Sequence, residues 1–190
     1  MRIISGELRH RRILSPPGLT TRPIPDRVKL ALFNILAGRL EQATVLDLYC
    51  GTGSMGLEAL SRGARLCAFA ERDRAALGLL RQNIQTFGLE DRSRVWAGDI
   101  LTCLGGWLAE LPGEADIAFV DPPYSDPAAW DWAQVGGELF DPLAGRLARD
   151  GIIMLRCQRN ILPPEALGML KLRDRRDYGG MSLIFWQRRN

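Results

Sequence analysis

Histidine and lysine are nearly missing from this sequence. There is one histidine, His10, and only two lysines, Lys29 and Lys171, stand among 25 basic residues. A Ser-His-Asp or Cys-His centre would have to be built on that single imidazole, which lies in a basic stretch near the N-terminus. Hydrolases of that design are therefore not expected. The four cysteines, Cys50, Cys67, Cys103 and Cys157, form no C-x-x-C pair, so neither zinc nor any other metal is expected. A disulfide framework is not expected either, and Cys67 reads as a buried free thiol in an apolar run. No apolar run is long enough to span a membrane. The first residues, Met1-Arg2-Ile3-Ile4-Ser5-Gly6-Glu7, hold no long apolar signal core. A soluble cytoplasmic protein without membrane contact is the expectation that remains. Internal repeats and low-complexity tracts are absent as well.

What is present suits one globular domain. The 190 residues are 46% hydrophobic and 25% charged, enough to bury a sizeable core. The net charge of +3 is unevenly spread. Residues 1–29 carry Arg2, Arg9, Arg11, Arg12, Arg22, Arg27 and Lys29 against Glu7 and Asp26. Seven minus two is +5, so the rest nets −2. A basic arm ahead of a near-neutral body points to a polyanion partner. The plainer reading is a solvated, arginine-rich tail. We expect residues 1–24 to form a basic arm, with short extended pieces folded as a small hairpin around Ser5-Gly6. Residues 25–190 are expected to form the single domain.

Ser15-Pro16-Pro17-Gly18 breaks the chain. From Asp26 the spacing turns helical, with Val28, Ala31, Leu32, Ile35 and Leu36 on one face. Pro25 suits the first helical position and Gly38 the exit. Strands and helices then alternate. Strands are expected at 44–48, 66–70, 94–97, 117–120 and 152–155. Helices are expected at 54–61, 73–86, about 100–110 (weakened by Gly105-Gly106) and 142–149. This alternation argues for an α/β fold with a parallel sheet covered on both faces. The segment 170–187 reads instead as a hairpin turning on Gly179-Gly180, which puts an antiparallel strand on that sheet.

Residues 46–60 read LDLYCGTGSMGLEAL, a G-x-G-x-x-G after a strand and opening a helix. Glycines there permit a tight turn and close approach of a ligand to backbone. Taken alone the loop suggests a dinucleotide site, and Asp47 weighs against that. A pyrophosphate would meet a carboxylate of like sign, which at ~4 Å costs on the order of 4 kcal/mol. S-adenosyl-L-methionine carries an ammonium and a sulfonium, so Asp47 favours it over NAD. Glu71, at the end of the second strand, can accept both ribose hydroxyls of either ligand. Asp99 can accept from an adenine amino group, with Ile100 against the ring; each of these two acids could instead be a loop cap.

The fourth strand ends in Asp121-Pro122-Pro123-Tyr124. Hydrogen-bonded structure cannot run through two residues that lack an N–H. An exocyclic amine on a base is a poor nucleophile because its lone pair is delocalised. Two acceptors aimed at its N–H bonds would localise the lone pair and fix its direction. The Asp121 carboxylate and the Pro122 carbonyl can serve, with Asp121 also able to take the proton late. Pro123 brings no competing donor. Tyr124 can stack on the base, worth roughly 1–3 kcal/mol. The plain alternative is a proline-closed loop.

Asp47–Gly53 with Asp121–Tyr124 resembles the motifs of class I amino-methyltransferases. RIISGELRHRRIL (2–14) and RPIPDRVKLALFNIL (22–36) narrow the likeness. Over essentially all 190 residues the sequence resembles bacterial 16S rRNA guanine-N2 methyltransferases of the RsmD type, and the Tyr178-Gly179 hairpin agrees. The resemblance implies a Rossmann-like, seven-stranded, mostly parallel sheet with an antiparallel last strand and helices on both faces. It implies methyl transfer from S-adenosyl-L-methionine, without metal, to N2 of one guanine in 16S rRNA (position 966 in the usual rRNA numbering). The partner would be the small ribosomal subunit or an assembly intermediate, and the enzyme a monomer. Asp47, Tyr49, Gly51, Gly53, Glu71, Asp99 and Ile100 would hold the cofactor. Arg9, Arg11, Arg12, Arg22 and Arg27 would meet phosphates. His10, Ile24 and Leu30 depart from the family's usual Gly, Thr and Glu, which touches target choice more than chemistry. The alternatives are a DNA adenine-N6 or cytosine-N4 methyltransferase, an NAD-linked oxidoreductase, and a non-catalytic RNA-binding module.

Overall fold

A computed structural model describes residues 1–16, 24–123 and 125–189. Arg22, Tyr124 and the Pro17-Gly18 break lie outside the described residues. The chain falls into two compact units, Met1–Gly98 and Asp99–Asn190. The boundary expected between residues 24 and 25 lies inside the first.

In the first unit, helix α1 (Asp26–Ile35) precedes β1 (Thr44–Leu48), α2 (Ser54–Ser61), β2 (Leu66–Glu71), α3 (Arg74–Phe87) and β3 (Ser93–Ala97). The strands lie in the order β3-β2-β1, all parallel, with Thr44 opposite Leu66 and Cys67 opposite Ser93. Every residue of β1 is buried, as a strand covered on both faces requires. Helix α3 forms because Ala76, Leu77, Leu80, Ile84 and Phe87 make one buried face. Asp73 caps it by accepting the Ala76 N–H at 2.7 Å, worth about 1 kcal/mol. Gly88 ends it at φ 65°.

Helix α1 differs from expectation. Pro25 is its cap residue rather than its first turn. The buried stripe is Val28, Lys29, Leu32, Phe33 and Leu36, while Ile35 is exposed. The face has rotated because Lys29 is drawn inward, as described below. The first residues form a tight antiparallel loop closed by one bridge, Arg2 to Arg12, rather than a full hairpin. The Ile3 N–H donates to the Arg11 carbonyl at 3.0 Å and the Ile13 N–H to that of Met1 at 3.1 Å. Ile3 and Ile13 are fully buried, so this loop is packed into its unit.

The second unit holds α4 (Ile100–Ala109), β4 (Ala115–Val120), α5 (Ser125–Ala129), α6 (Trp132–Val135), a π-type turn (Gly136–Phe140) and α7 (Asp141–Arg146). Strands β5 (Leu147–Gln158), β6 (Ala166–Leu167), β7 (Leu170–Tyr178) and β8 (Met181–Arg188) follow. Strand β5 pairs parallel with β4 and antiparallel with β8; β8 pairs antiparallel with β7, and β7 with β6. The architecture is the expected mixed α/β one, with β8 as the antiparallel C-terminal strand. The described residues hold eight strands rather than seven, the additional one being the two-residue β6. No helix among the described residues is long and apolar enough to cross a membrane.

Candidate functional site

The glycine loop leaves β1 through a run of left-handed backbone: Tyr49 at φ 61°, Gly51 at 55° and Gly53 at 86°. Such values cost a side-chain-bearing residue energy, so Tyr49 is the strained member. The Gly53 N–H closes the turn on the Cys50 carbonyl at 2.8 Å. A Cβ on Gly56 would come within 2.3 Å of Phe69 Cε1 and 2.5 Å of Cys67 Sγ. The third glycine therefore serves the packing of α2 on β2. A Cβ on Gly51 would meet nothing within 4 Å, so that side of the loop is open.

The acids around the loop are engaged with backbone. Asp47 is buried, and its Oδ2 accepts the Gly56 N–H in the first turn of α2 at 2.7 Å. Glu71 accepts the Gly51 N–H through Oε2 at 2.9 Å. Through Oε1 it accepts from Arg72 at 2.8 Å and Asp73 at 2.9 Å. It thereby joins the loop to the turn after β2, using three of roughly four acceptor positions. Burial raises the Cys50 thiol well above its ordinary pKa, with Asp47 and Glu71 adding to the effect. A raised pKa disfavours the thiolate, so Cys50 is not set up as a nucleophile. In the second unit, Asp99 caps α4, accepting the Leu101 N–H at 3.1 Å, and Ile100 beside it is buried. The cap reading of Asp99 is thus realised.

Strand β4 delivers Asp121-Pro122-Pro123 at its carboxyl end. The Pro123 carbonyl accepts the Asp126 N–H at 2.9 Å and starts α5. Among the described residues no N–H or O–H donates to the Pro122 carbonyl. Asp121 is mostly buried and forms an ion pair with buried Arg156, whose Nε donates to Oδ1. Burial raises the Asp121 carboxyl above its ordinary value, and Arg156 opposes that shift. Sequence reasoning missed Arg156, although a lone charge in the run Ile152–Cys157 was a visible signal.

The N-terminal cations divide into two groups. Arg9, Arg11, Arg12 and Arg27 are exposed. Arg11 also lies over the Phe87 ring at 5.3 Å and donates to the Thr86 carbonyl at 3.0 Å. Arg2 pairs with Asp26 at 3.0 Å. Lys29 is no part of a basic surface. It is 1% exposed and its Nζ lies 3.3 Å from Glu58, itself 0% exposed. The same Nζ donates to the Arg2 carbonyl at 2.8 Å and to Ser54 Oγ, at the start of α2, at 3.2 Å. Glu58 also accepts from the Ile4 N–H, the Ser5 N–H and Arg62. Burial lowers the Lys29 pKa, with Glu58 the chief opposing influence. This buried ionic cluster was not foreseen. The i, i+4 pair Glu58–Arg62 was its one legible trace.

A family model described as "Conserved hypothetical protein 95" matches residues 1–187. The chain is 31% identical over 189 residues to a Bacillus subtilis (strain 168) protein, YlbH, provisionally named an rRNA methyltransferase; the match covers 100% of both chains. It is 34% identical over 169 residues to "Ribosomal RNA small subunit methyltransferase D" of Haemophilus influenzae, covering 88% of this chain and 76% of that one. A solved structure of a hypothetical protein from Thermus thermophilus superposes with a TM-score of 0.80 at 31% identity, over 97% of this chain and 98% of that one.

Proposed function

The chain belongs to the family of that model, the RsmD family of ribosomal RNA methyltransferases, and we propose that it methylates the exocyclic N2 of one guanine in 16S rRNA, the position 966 type, using S-adenosyl-L-methionine. The observation that carries this reading is the pair of acceptors at the end of β4. Asp121 presents a carboxylate, and Pro122 presents a carbonyl to which no described residue donates. A guanine amine offers two N–H bonds, and one acceptor for each holds it in a single orientation. The lone pair is then drawn out of conjugation and fixed in direction. Pro122 and Pro123 add no donor that could compete with the amine. Tyr124 follows them and is assigned the stacking of the target base, presented from a loop or a splayed strand.

The residues present fit the cofactor. The open side of Gly51 admits a ligand against backbone. Glu71, at the carboxyl end of β2, keeps acceptor capacity for ribose hydroxyls. When bound, S-adenosyl-L-methionine supplies an electrophilic methyl group. Gly51, Gly53 and Glu71 are assigned to hold it, with Tyr49, Asp99 and Ile100 completing its surroundings. Asp47 has a supporting part, fixing the first turn of α2 on which the loop depends. Exposed Arg9, Arg11, Arg12 and Arg27, together with Arg22, are assigned to rRNA phosphates.

The test is methyl incorporation into undermethylated small subunits, naked 16S rRNA and duplex DNA, followed by mapping of the modified nucleotide. Incorporation at a guanine N2 of 16S rRNA is the expected result; label entering only DNA would establish the rival amino-methyltransferase reading. Asp121→Ala should bind S-adenosyl-L-methionine normally and lose about 100-fold or more in single-turnover rate. A rate equal to the wild type would remove Asp121 from the reaction.

A further inference from the structure

Register places Arg156 where it is. Val120 lies opposite Leu155 in the parallel pair β4–β5, so the next residues, Asp121 and Arg156, come side by side at the carboxyl ends of both strands. The guanidinium is 7% exposed and the carboxylate 15%. It is the only charged side chain in the buried run Ile152–Cys157. Burying a guanidinium is unfavourable unless a counter-charge meets it, and Asp121 supplies one. Lysine would not be equivalent, because the planar fork fixes a carboxylate in a way a point charge does not.

We propose that Arg156 is a positioning residue for the methyl-transfer step, holding Asp121 through Oδ1 so that Oδ2 is the oxygen offered to the substrate amine. The inference rests on the reading given above. Burial raises the Asp121 carboxyl pKa; the adjacent cation acts against that shift, favouring the charged form and weakening the carboxylate as a base. It therefore suits Asp121 to accept a hydrogen bond while the methyl group passes from sulfur to nitrogen. The S–CH3 bond breaks to leave the neutral thioether, and the amine's proton goes afterwards to solvent. Among the described residues Arg156 is the charged group that acts on Asp121; burial acts in the opposite sense.

Two measurements on the full chain test this. One is the pH dependence of single-turnover methylation of 16S rRNA. The other is the titration of the Asp121 carboxyl by carbon NMR in the protein without ligand. In the wild type, activity falls on the acid side as Asp121 takes up a proton. In Arg156→Gln that acid limb and the NMR titration should both move up by about 1–3 pH units. Arg156→Lys should keep the wild-type acid limb but turn over more slowly. A counter-ion with no part in positioning would leave the rate of Arg156→Lys unchanged, and that result overturns the proposal. So does a folded Arg156→Gln whose acid limb and carboxyl titration stay in place. Should Arg156→Gln not fold, Arg156→Lys decides alone: a slowed rate supports the proposal and a wild-type rate overturns it. A shifted carboxyl in a protein that methylates no RNA would refute the assigned reaction and the amine's part in it, while leaving the ion pair established.

Discussion

Replacing Glu58 with glutamine keeps the shape of a buried side chain and removes its charge. The carboxylate accepts from Ile4 at 2.8 Å, Ser5 at 3.0 Å and Arg62 at 2.9 Å, and lies 3.3 Å from Lys29 Nζ. Lys29, at 1% exposure, cannot turn toward solvent. Breaking such a pair costs about 3–5 kcal/mol, because a buried charge is left behind. Deprotonation caps that cost. At pH 7 the cap is the energy of discharging a lysine of ordinary pKa 10.5, about 5 kcal/mol at about 1.4 kcal/mol per pH unit. At pH 9.5 the cap is about 1.4 kcal/mol. The sign follows from Lys29, whose pKa is lowered by burial. The cost of holding its charge is present below the folded-state pKa and is relieved as pH rises toward the unfolded value. The loss in Glu58→Gln relative to wild type, read from urea denaturation, should therefore be large at pH 7 and shrink by more than half at pH 9.5. Equal losses at both pH values, or a loss below about 1 kcal/mol at pH 7, would refute the argument that an unpaired Lys29 carries the penalty.

Gly56→Ala should destabilise by about 1–3 kcal/mol in the same assay, because the new methyl would press on Phe69 and Cys67 in the packing of α2 on β2. Cys157, whose pKa burial raises to about 11, should resist alkylation at pH 8, while half-exposed Cys103 is modified first, as peptide mass mapping would show. For rRNA affinity, Arg9, Arg12 and Arg27 changed together to serine should weaken binding about equally for all sequences and flatten its salt dependence by up to about 3 contacts. An unchanged salt slope would place the phosphates elsewhere. Deleting residues 1–12 is a poorer test of the same point, since it removes buried Ile3 and the partners of Glu58.

Where local pattern and tertiary need agreed, the sequence was legible. Strand β1 and helix α2 fall at the expected residues because an apolar run ends in glycines and a helical face begins at once. Helix α4 survives Gly105-Gly106: Ile100, Leu104 and Leu108 keep one buried face, and a Cβ at either glycine would meet nothing. Strand β5 is longer than the four residues its apolar run suggests, because Leu147–Arg149 read as the end of the helix expected at 142–149, which instead stops at Arg146. It runs from Leu147 to Gln158, its exposed charges lying before the buried core of the strand. Helices α5 and α6 and the π-type turn between Ser125 and Phe140 were missed, since proline, paired glycines and short lengths leave no period to read. In the candidate site, the loop, its acids and the acid–proline corner were all visible as motifs. Arg156 was visible as a lone charge in an apolar run, but its pairing with Asp121, like that of Lys29 with Glu58, was not. The partner of a buried charge is fixed by strand register or helix packing, which no single segment encodes. For the same reason Asp47 was seen as a ligand contact while its bond to the Gly56 N–H was not; for Glu71 and Asp99 the cap alternative stood beside the ligand one.

The position of β8 sets an order on the making of this protein. Its residues, 181–188, fill the gap between β5 and β7. Strands β2 and β3 of the first unit find their sheet neighbours within residues 1–98. On a translating ribosome, that unit can close while the second is still being synthesised. Strands β5 and β7, however, emerge early and must wait with bare edges until β8 arrives. A pause in elongation before Met181 would thus expose two sticky ribbons on one nascent chain, the circumstance in which chaperone capture matters most.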